Sequence, residues 1–233
     1  MRVDAVLFDM DETLINLTAT RPMRLRRALE KLNELTGADC DIEGALVRAE
    51  ELPVYTDRLK ILLGELGHAD CDYGRQAYEV IFDASLMELH DGAEDLLLEL
   101  ATNYKLGLVT NGPGRTQTPK IERFKLLGHF GGAVAIGDDF GHPKPDPTIF
   151  LHVAAVLGVE PAHTMFVGDR LDADIEGAKR AGMIAVWLHT VDQPDYEGPP
   201  PDFEIRRITE LRQVLGDLGE PLMVSRGQAE PVS

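Results

Sequence analysis

Five short apolar runs pace the chain: AVLFD (5–9), KLGLVT (105–110), AVAIG (133–137), TMFVG (164–168) and IAVWL (184–188). Most are unbroken rather than alternating, the pattern of strands covered on both faces of a parallel sheet. Helical patterns lie between them. GAEDLLLELATN precedes the second run, RTQTPKIERFKLLG follows it, and PDPTIFLHVAAVLG and DADIEGAKRAG come later. Parallel strands need crossover connections, so this rhythm predicts an α/β fold with a Rossmann-like, doubly wound parallel sheet.

The rhythm breaks once. Between Asn16 and Leu89 no strand pattern occurs, only MRLRRALEKLNELTG, IEGALVRAEEL, DRLKILLGELG and YGRQAYEVIFDASLMEL, all with helical spacing. The expected organisation is a core from residues 1–15 and 90–218, an α-helical cap subdomain inserted over 16–89, and an aperiodic, disordered tail over 219–233. Past Trp187, PDYEGPPPD reads as a proline-rich loop, FEI as a short edge strand and ITELRQVLGDL as a closing helix.

A formal net charge of −17 sets the chain against nucleic acid and anionic membranes, which would repel it. The apolar runs are far too short to span a bilayer, and the N-terminus lacks a signal-peptide pattern, so a cytoplasmic location is expected. Two cysteines, Cys40 and Cys71, fit a reducing compartment. An acidic chain that binds anions must supply local cations, and only seven residues are lysine. A lysine in a loop of special sequence is therefore informative.

Open α/β sheets bind ligands at the carboxyl ends of their strands. At those ends stand Asp9 with Asp11 and Thr13, then Thr110-Asn111-Gly112, then Lys144 in GHPKPDP, then Gly168-Asp169 with Asp172 and Asp174 beyond. If the first run stays extended, alternation sends Asp9 and Asp11 to the same side. Such a pair can divide labour, one carboxylate attacking phosphorus and the other, with a raised pKa, exchanging the proton. Clustered carboxylates suit Mg2+, an oxygen-seeking ion that bridges to phosphate. Thr110 and nearby backbone N–H groups are placed to hold phosphoryl oxygens, with Lys144 offsetting charge.

FDMDETL, LVTNG, HPKPDP and VGDRLDADIEGAKRAGM, in that order and each at an expected strand end, resemble the four motifs of the haloacid dehalogenase superfamily. The resemblance runs from Ala5 to Leu188 and extends to the long helical insert after the first motif, which is similar to the superfamily's helical cap. It implies Asp9 as nucleophile and Asp11 as general acid/base. It implies magnesium held by Asp9, the backbone carbonyl of Asp11 and Asp169, with Asp174 nearby. Thr110 and Asn111 would bind the phosphoryl group, and Lys144 would steady both it and the nucleophile.

Departures from other branches narrow the reading. Haloalkanoic acid dehalogenases lack the second aspartate, because halide leaves without a proton; Asp11 is present here. Phosphonate hydrolysis in the family uses a cap lysine, yet Lys31 and Lys60 sit on ordinary helical faces. Phosphosugar mutases usually show Gly-Val after the second aspartate, where this chain has Glu12-Thr13. The expected activity is phosphomonoester hydrolysis on a small phosphorylated metabolite (sugar phosphate, phosphoglycolate or nucleoside monophosphate), by a monomer or homodimer whose cap selects the substrate. A mutase and a catalytically silent phosphate-binding regulator are the alternatives. Arg24, Arg26 and Arg27 read as a solvated helical face, Asp172 as an acid outside the site, and the histidines as structural or surface groups.

Overall fold

The computed structural model describes residues 2–53, 57–193 and 195–219. Among these, the chain divides into two compact units, Asn16–Glu88 and the remainder. The expected tail lies outside the described residues except for Gly219.

In the larger unit, β1 (Ala5–Phe8) is the central strand, and α1 to α4 of the helical unit follow it in sequence. Those four are α1 (Leu17–Thr36), α2 (Ile42–Glu51), α3 (Arg58–Glu65) and α4 (Asp72–Glu79). The larger unit resumes with α5 (Ala93–Leu100), β2 (Lys105–Thr110), α6 (Gly114–Arg123), α7 (Leu127–Phe130) and β3 (Val134–Ile136). Then come α8 (Gly137–Phe140), α9 (Pro147–Leu157), β4 (Thr164–Gly168), α10 (Glu176–Arg180), β5 (Ile184–Leu188), β6 (Phe203–Ile205) and α11 (Leu211–Asp217).

The six strands make one sheet in the order β3-β2-β1-β4-β5-β6, and every pair is parallel. Each residue of β1, β4 and β5 is buried, which is why these strands read as unbroken apolar runs. Leu7, Val109, Ala135, Phe166, Ala185 and Trp187 pack with Ile149, Phe150 and Val153 of α9 and with Ala178 of α10. Alternate strand residues turn to the other face. The α/β, doubly wound sheet expected from the sequence is the fold.

The helical unit has its own core. Leu25, Ala28, Leu29 and Leu32 of α1 meet Leu59, Leu62 and Leu63 of α3, Ala49 of α2 and Ala77 of α4. Positions 25, 28, 29 and 32 form the three- and four-residue spacing of one helix face. Arg24, expected on a solvated face, is buried: its guanidinium donates to the carbonyls of Leu17 and Ile81 and to the Thr20 hydroxyl. Arg26 and Arg27 do pair on the surface, with Glu43 and with Glu34. Cys40 and Cys71 are free thiols.

Four local expectations change. Strand β1 stops at Phe8, not Asp9, so alternation does not govern the Asp9–Asp11 pair. Helix α1 starts at Leu17 rather than Met23 and runs through Pro22, because the Asn16 side chain caps it by accepting from the Ala19 N–H at 2.9 Å. The helical pattern over 73–89 ends at Glu79 and continues as two tight turns, Val80–Phe82 and Ala84–Leu86, with Asp83 accepting from the Ser85 N–H between them. The pattern starting at Arg115 splits into α6 and α7, with Lys125 between them in a left-handed conformation at φ 53.

Candidate active site

Strand register brings the four motifs to one edge. Phe8 pairs with both Leu108 and Val167, so the ends of β1, β2 and β4 lie level. Just past β1 the Asp9 N–H donates to the Val167 carbonyl at 2.9 Å, which sets Asp9 beside Gly168 and Asp169. On the opposite flank β2 ends at Thr110. The strand order reverses direction at this point, where doubly wound sheets hold their ligands.

Lys144 is the hub. Its Nζ lies 2.5 Å from Asp9 Oδ1 and 2.6 Å from Asp174 Oδ1, with all three residues buried. Asp9, Asp169 and Asp174 offer carboxylate oxygens within 4.8 Å of one another. Burial pushes the Asp9 carboxyl up; Lys144 opposes this, Asp174 and Asp11 reinforce it, and the result is about 7. Burial pushes Asp169 up as well, and the nearby charges of Asp174 and Asp9 help carry it to about 9. Burial alone would lower the Lys144 ammonium, but Asp174 and Asp9 more than offset that and hold it above its ordinary value. Three acids against one buried cation leave a deficit of positive charge.

The arrangement fits a divalent cation. Although Asp174 Oδ1 is close to Lys144, it is buried and accepts no well-formed hydrogen bond. The donors are carboxylate oxygens, which suit Mg2+ rather than a thiolate- or imidazole-seeking metal. Asp174 enters through one π-helical turn, Leu171–Ile175, ahead of α10. Its Oδ2 accepts from the Arg170 N–H at 2.9 Å. Gly168 makes this possible: a Cβ there would stand 2.4 Å from Asp174 Cγ.

The Asp169 carbonyl is fixed by two donors, Trp187 Nε1 and Gln193 Nε2, each at 2.8 Å. Trp187, which sequence reasoning treats as core, is thus also a brace for a site residue. Asp172 lies outside the cluster, paired on the surface with Arg170.

Thr110 is buried at the end of β2, its hydroxyl 3.4 Å from the Asn111 carbonyl. Asn111, expected to bind the phosphoryl group, spends both ends of its carboxamide on Lys144: Nδ2 donates to the Lys144 carbonyl and Oδ1 accepts from its N–H, each at 2.9 Å. Any side-chain role for Asn111 therefore runs through the lysine loop.

Asp11 is half-exposed and turns toward α6, where Lys120 Nζ lies 2.6 Å from Oδ2 and 2.8 Å from Oδ1. Gln117 Nε2 donates to the same carboxylate at 3.3 Å. Sequence reasoning passed over both residues. The available signal was that TQTPKI sets Gln117 and Lys120 at helical spacing on the same side as the apolar Ile121.

A family model described as haloacid dehalogenase-like hydrolase matches residues 3–182. The glyceraldehyde 3-phosphate phosphatase of Methanopyrus kandleri is 33% identical over 94% of this chain and 99% of its own length. The N-acylneuraminate-9-phosphatase of Mus musculus is 29% identical over 92% of this chain and 94% of its own. Among solved structures, the magnesium-bound putative hydrolase YfnB of Bacillus subtilis superposes with a TM-score of 0.70 at 26% identity, covering 92% of this chain and 99% of that one.

Proposed function

The chain belongs to the haloacid dehalogenase-like hydrolase family and is an enzyme of its phosphatase branch; from that premise we propose that it is a magnesium-dependent phosphomonoesterase working through an aspartyl-phosphate at Asp9. The observation that carries this reading is Lys144 in contact with Asp9 and Asp174 inside the buried carboxylate cluster. Such a cluster is costly to bury unless its charge is used.

Asp9, as the carboxylate, attacks phosphorus while the bond from phosphorus to the leaving oxygen breaks. Asp11 gives a proton to that departing oxygen. In the second half, Asp11 takes a proton from water as the water oxygen attacks phosphorus, and the bond to Asp9 breaks to release phosphate. Lys144 and the Thr110 hydroxyl hold the phosphoryl oxygens, joined by backbone N–H groups of the Asn111 turn. Asp9, Asp169, Asp174 and the Asp11 carbonyl would hold magnesium, which would supply positive charge against the phosphoryl oxygens.

The names of the curated relatives support a small phosphorylated metabolite as substrate, sugar-like phosphates first. The test is phosphate release from a panel of triose and hexose phosphates, phosphoglycolate and nucleoside monophosphates. It is run with magnesium, with EDTA, and with Asp9→Asn protein. Metal-dependent release that vanishes in Asp9→Asn supports the reading; release that survives the substitution overturns it.

A further inference from the structure

Helix α6 buries the wrong kind of face. Gln117 is 4% exposed and Lys120 3%, three residues apart on the buried side of α6, where Thr116 and Ile121 are buried beside them. A buried ammonium is tolerated only when paired, and Lys120 spends two bonds on one partner, Asp11. Gln117 Nε2 ties the same carboxylate to a second point, since it also donates to the Asn111 carbonyl at 2.5 Å. Gly112 makes room for this link: it has φ +98, and a Cβ there would stand 2.7 Å from Gln117 Nε2.

We propose that Lys120, assisted by Gln117, is a positioning residue for Asp11, locking its carboxyl to the Asn111 turn so that proton exchange with the leaving oxygen and with water is aligned. The inference rests on the phosphatase reading with Asp11 as acid/base. A free aspartate at a half-exposed site samples several rotamers, and proton transfer requires one geometry. Two donors from Lys120 and one from Gln117 hold both oxygens at once. Because the tether ends on the Asn111 carbonyl, the proton-transfer group and the phosphoryl-binding turn move together.

Leaving-group chemistry separates positioning from mere support. p-Nitrophenolate departs as a stable anion and needs no proton, whereas an alkoxide needs one in the transition state. The experiment compares kcat/KM, which reports the steps through leaving-group departure, for p-nitrophenyl phosphate and for the alkyl phosphate turned over fastest in the panel, glyceraldehyde 3-phosphate being tried first. Lys120→Met lowers the alkyl value on the order of 10²-fold and the aryl value by less than about threefold, with Lys120→Arg recovering most of the loss. Gln117→Leu gives the same selectivity at about tenfold and serves if the buried methionine prevents folding. Equal losses on both esters, or no loss on either, overturn the proposal. Failure of the wild type to release phosphate from either ester sinks the phosphatase reading instead, so the two failures are told apart.

Discussion

The Asn111 carboxamide closes on the backbone of Lys144 from both sides, donating to its carbonyl and accepting from its N–H at 2.9 Å each. A residue at the end of β2 thereby sets the position of a lysine 33 residues later, and that lysine sets the charge around Asp9. Asn111→Ala removes both bonds and leaves two backbone groups unsatisfied. The expected cost is about 1–3 kcal/mol of stability, read by urea unfolding, with kcat falling more than KM rises. Asn111→Asp keeps the acceptor but sets an oxygen against the Lys144 carbonyl, so it does not rescue. Full activity in both variants counts against this account of the lysine loop.

Metal-free stability has a definite pH sign. Asp9 and Asp169 hold their protons more tightly when folded, at about 7 and about 9 against an ordinary 3.8. Their contribution is therefore complete below that ordinary value and is lost as pH rises through the folded values. Lys144 stays charged throughout this window, since its own pKa is raised. Melting in EDTA falls as pH climbs toward 9, and the gain on adding magnesium grows, because the ion takes only ionised carboxylates. A magnesium gain that is constant with pH rules this out.

Removing one acid should have opposite effects on stability and activity. Asp169→Asn replaces an acid that the metal-free fold keeps protonated with a neutral amide of similar shape, so the metal-free protein melts no lower and the magnesium-dependent rise in Tm shrinks. Phosphate release drops and recovers only partly at high magnesium. Calorimetry with and without the ion checks both halves; an undiminished magnesium response removes Asp169 from the binding set.

A single methyl group tests the placement of Asp174. In Gly168→Ala the new Cβ would meet Asp174 Cγ at 2.4 Å, so the carboxylate must move. Magnesium affinity and kcat fall together, while the sheet, whose β4 residues are all buried, keeps its circular dichroism spectrum. Unchanged magnesium affinity places the metal elsewhere.

Much of this was legible because apolar runs and strand ends are local properties. A strand buried on both faces must be nearly all apolar, so β1, β4 and β5 announce themselves. Asp9, Thr110, Lys144 and Asp169 each end an apolar run, follow one or fall in the loop after one, and parallel register brings these ends together. Helix starts were less readable. The helical pattern reads only from Met23, yet the Asn16 cap begins the helix at Leu17, more than a turn earlier.

By itself the chain determined the doubly wound sheet and the identity of the acids and the lysine at its edge, since hydrophobic period and the alternation of strand and helix patterns act through neighbours in sequence. Only the tertiary structure decided what each side chain holds: Asn111 turned to the lysine backbone, Arg24 turned inward, and Lys120 drawn across to Asp11 from 109 residues away. Those choices depend on which polar groups lose water together, and burial is a property of the packed fold rather than of any segment.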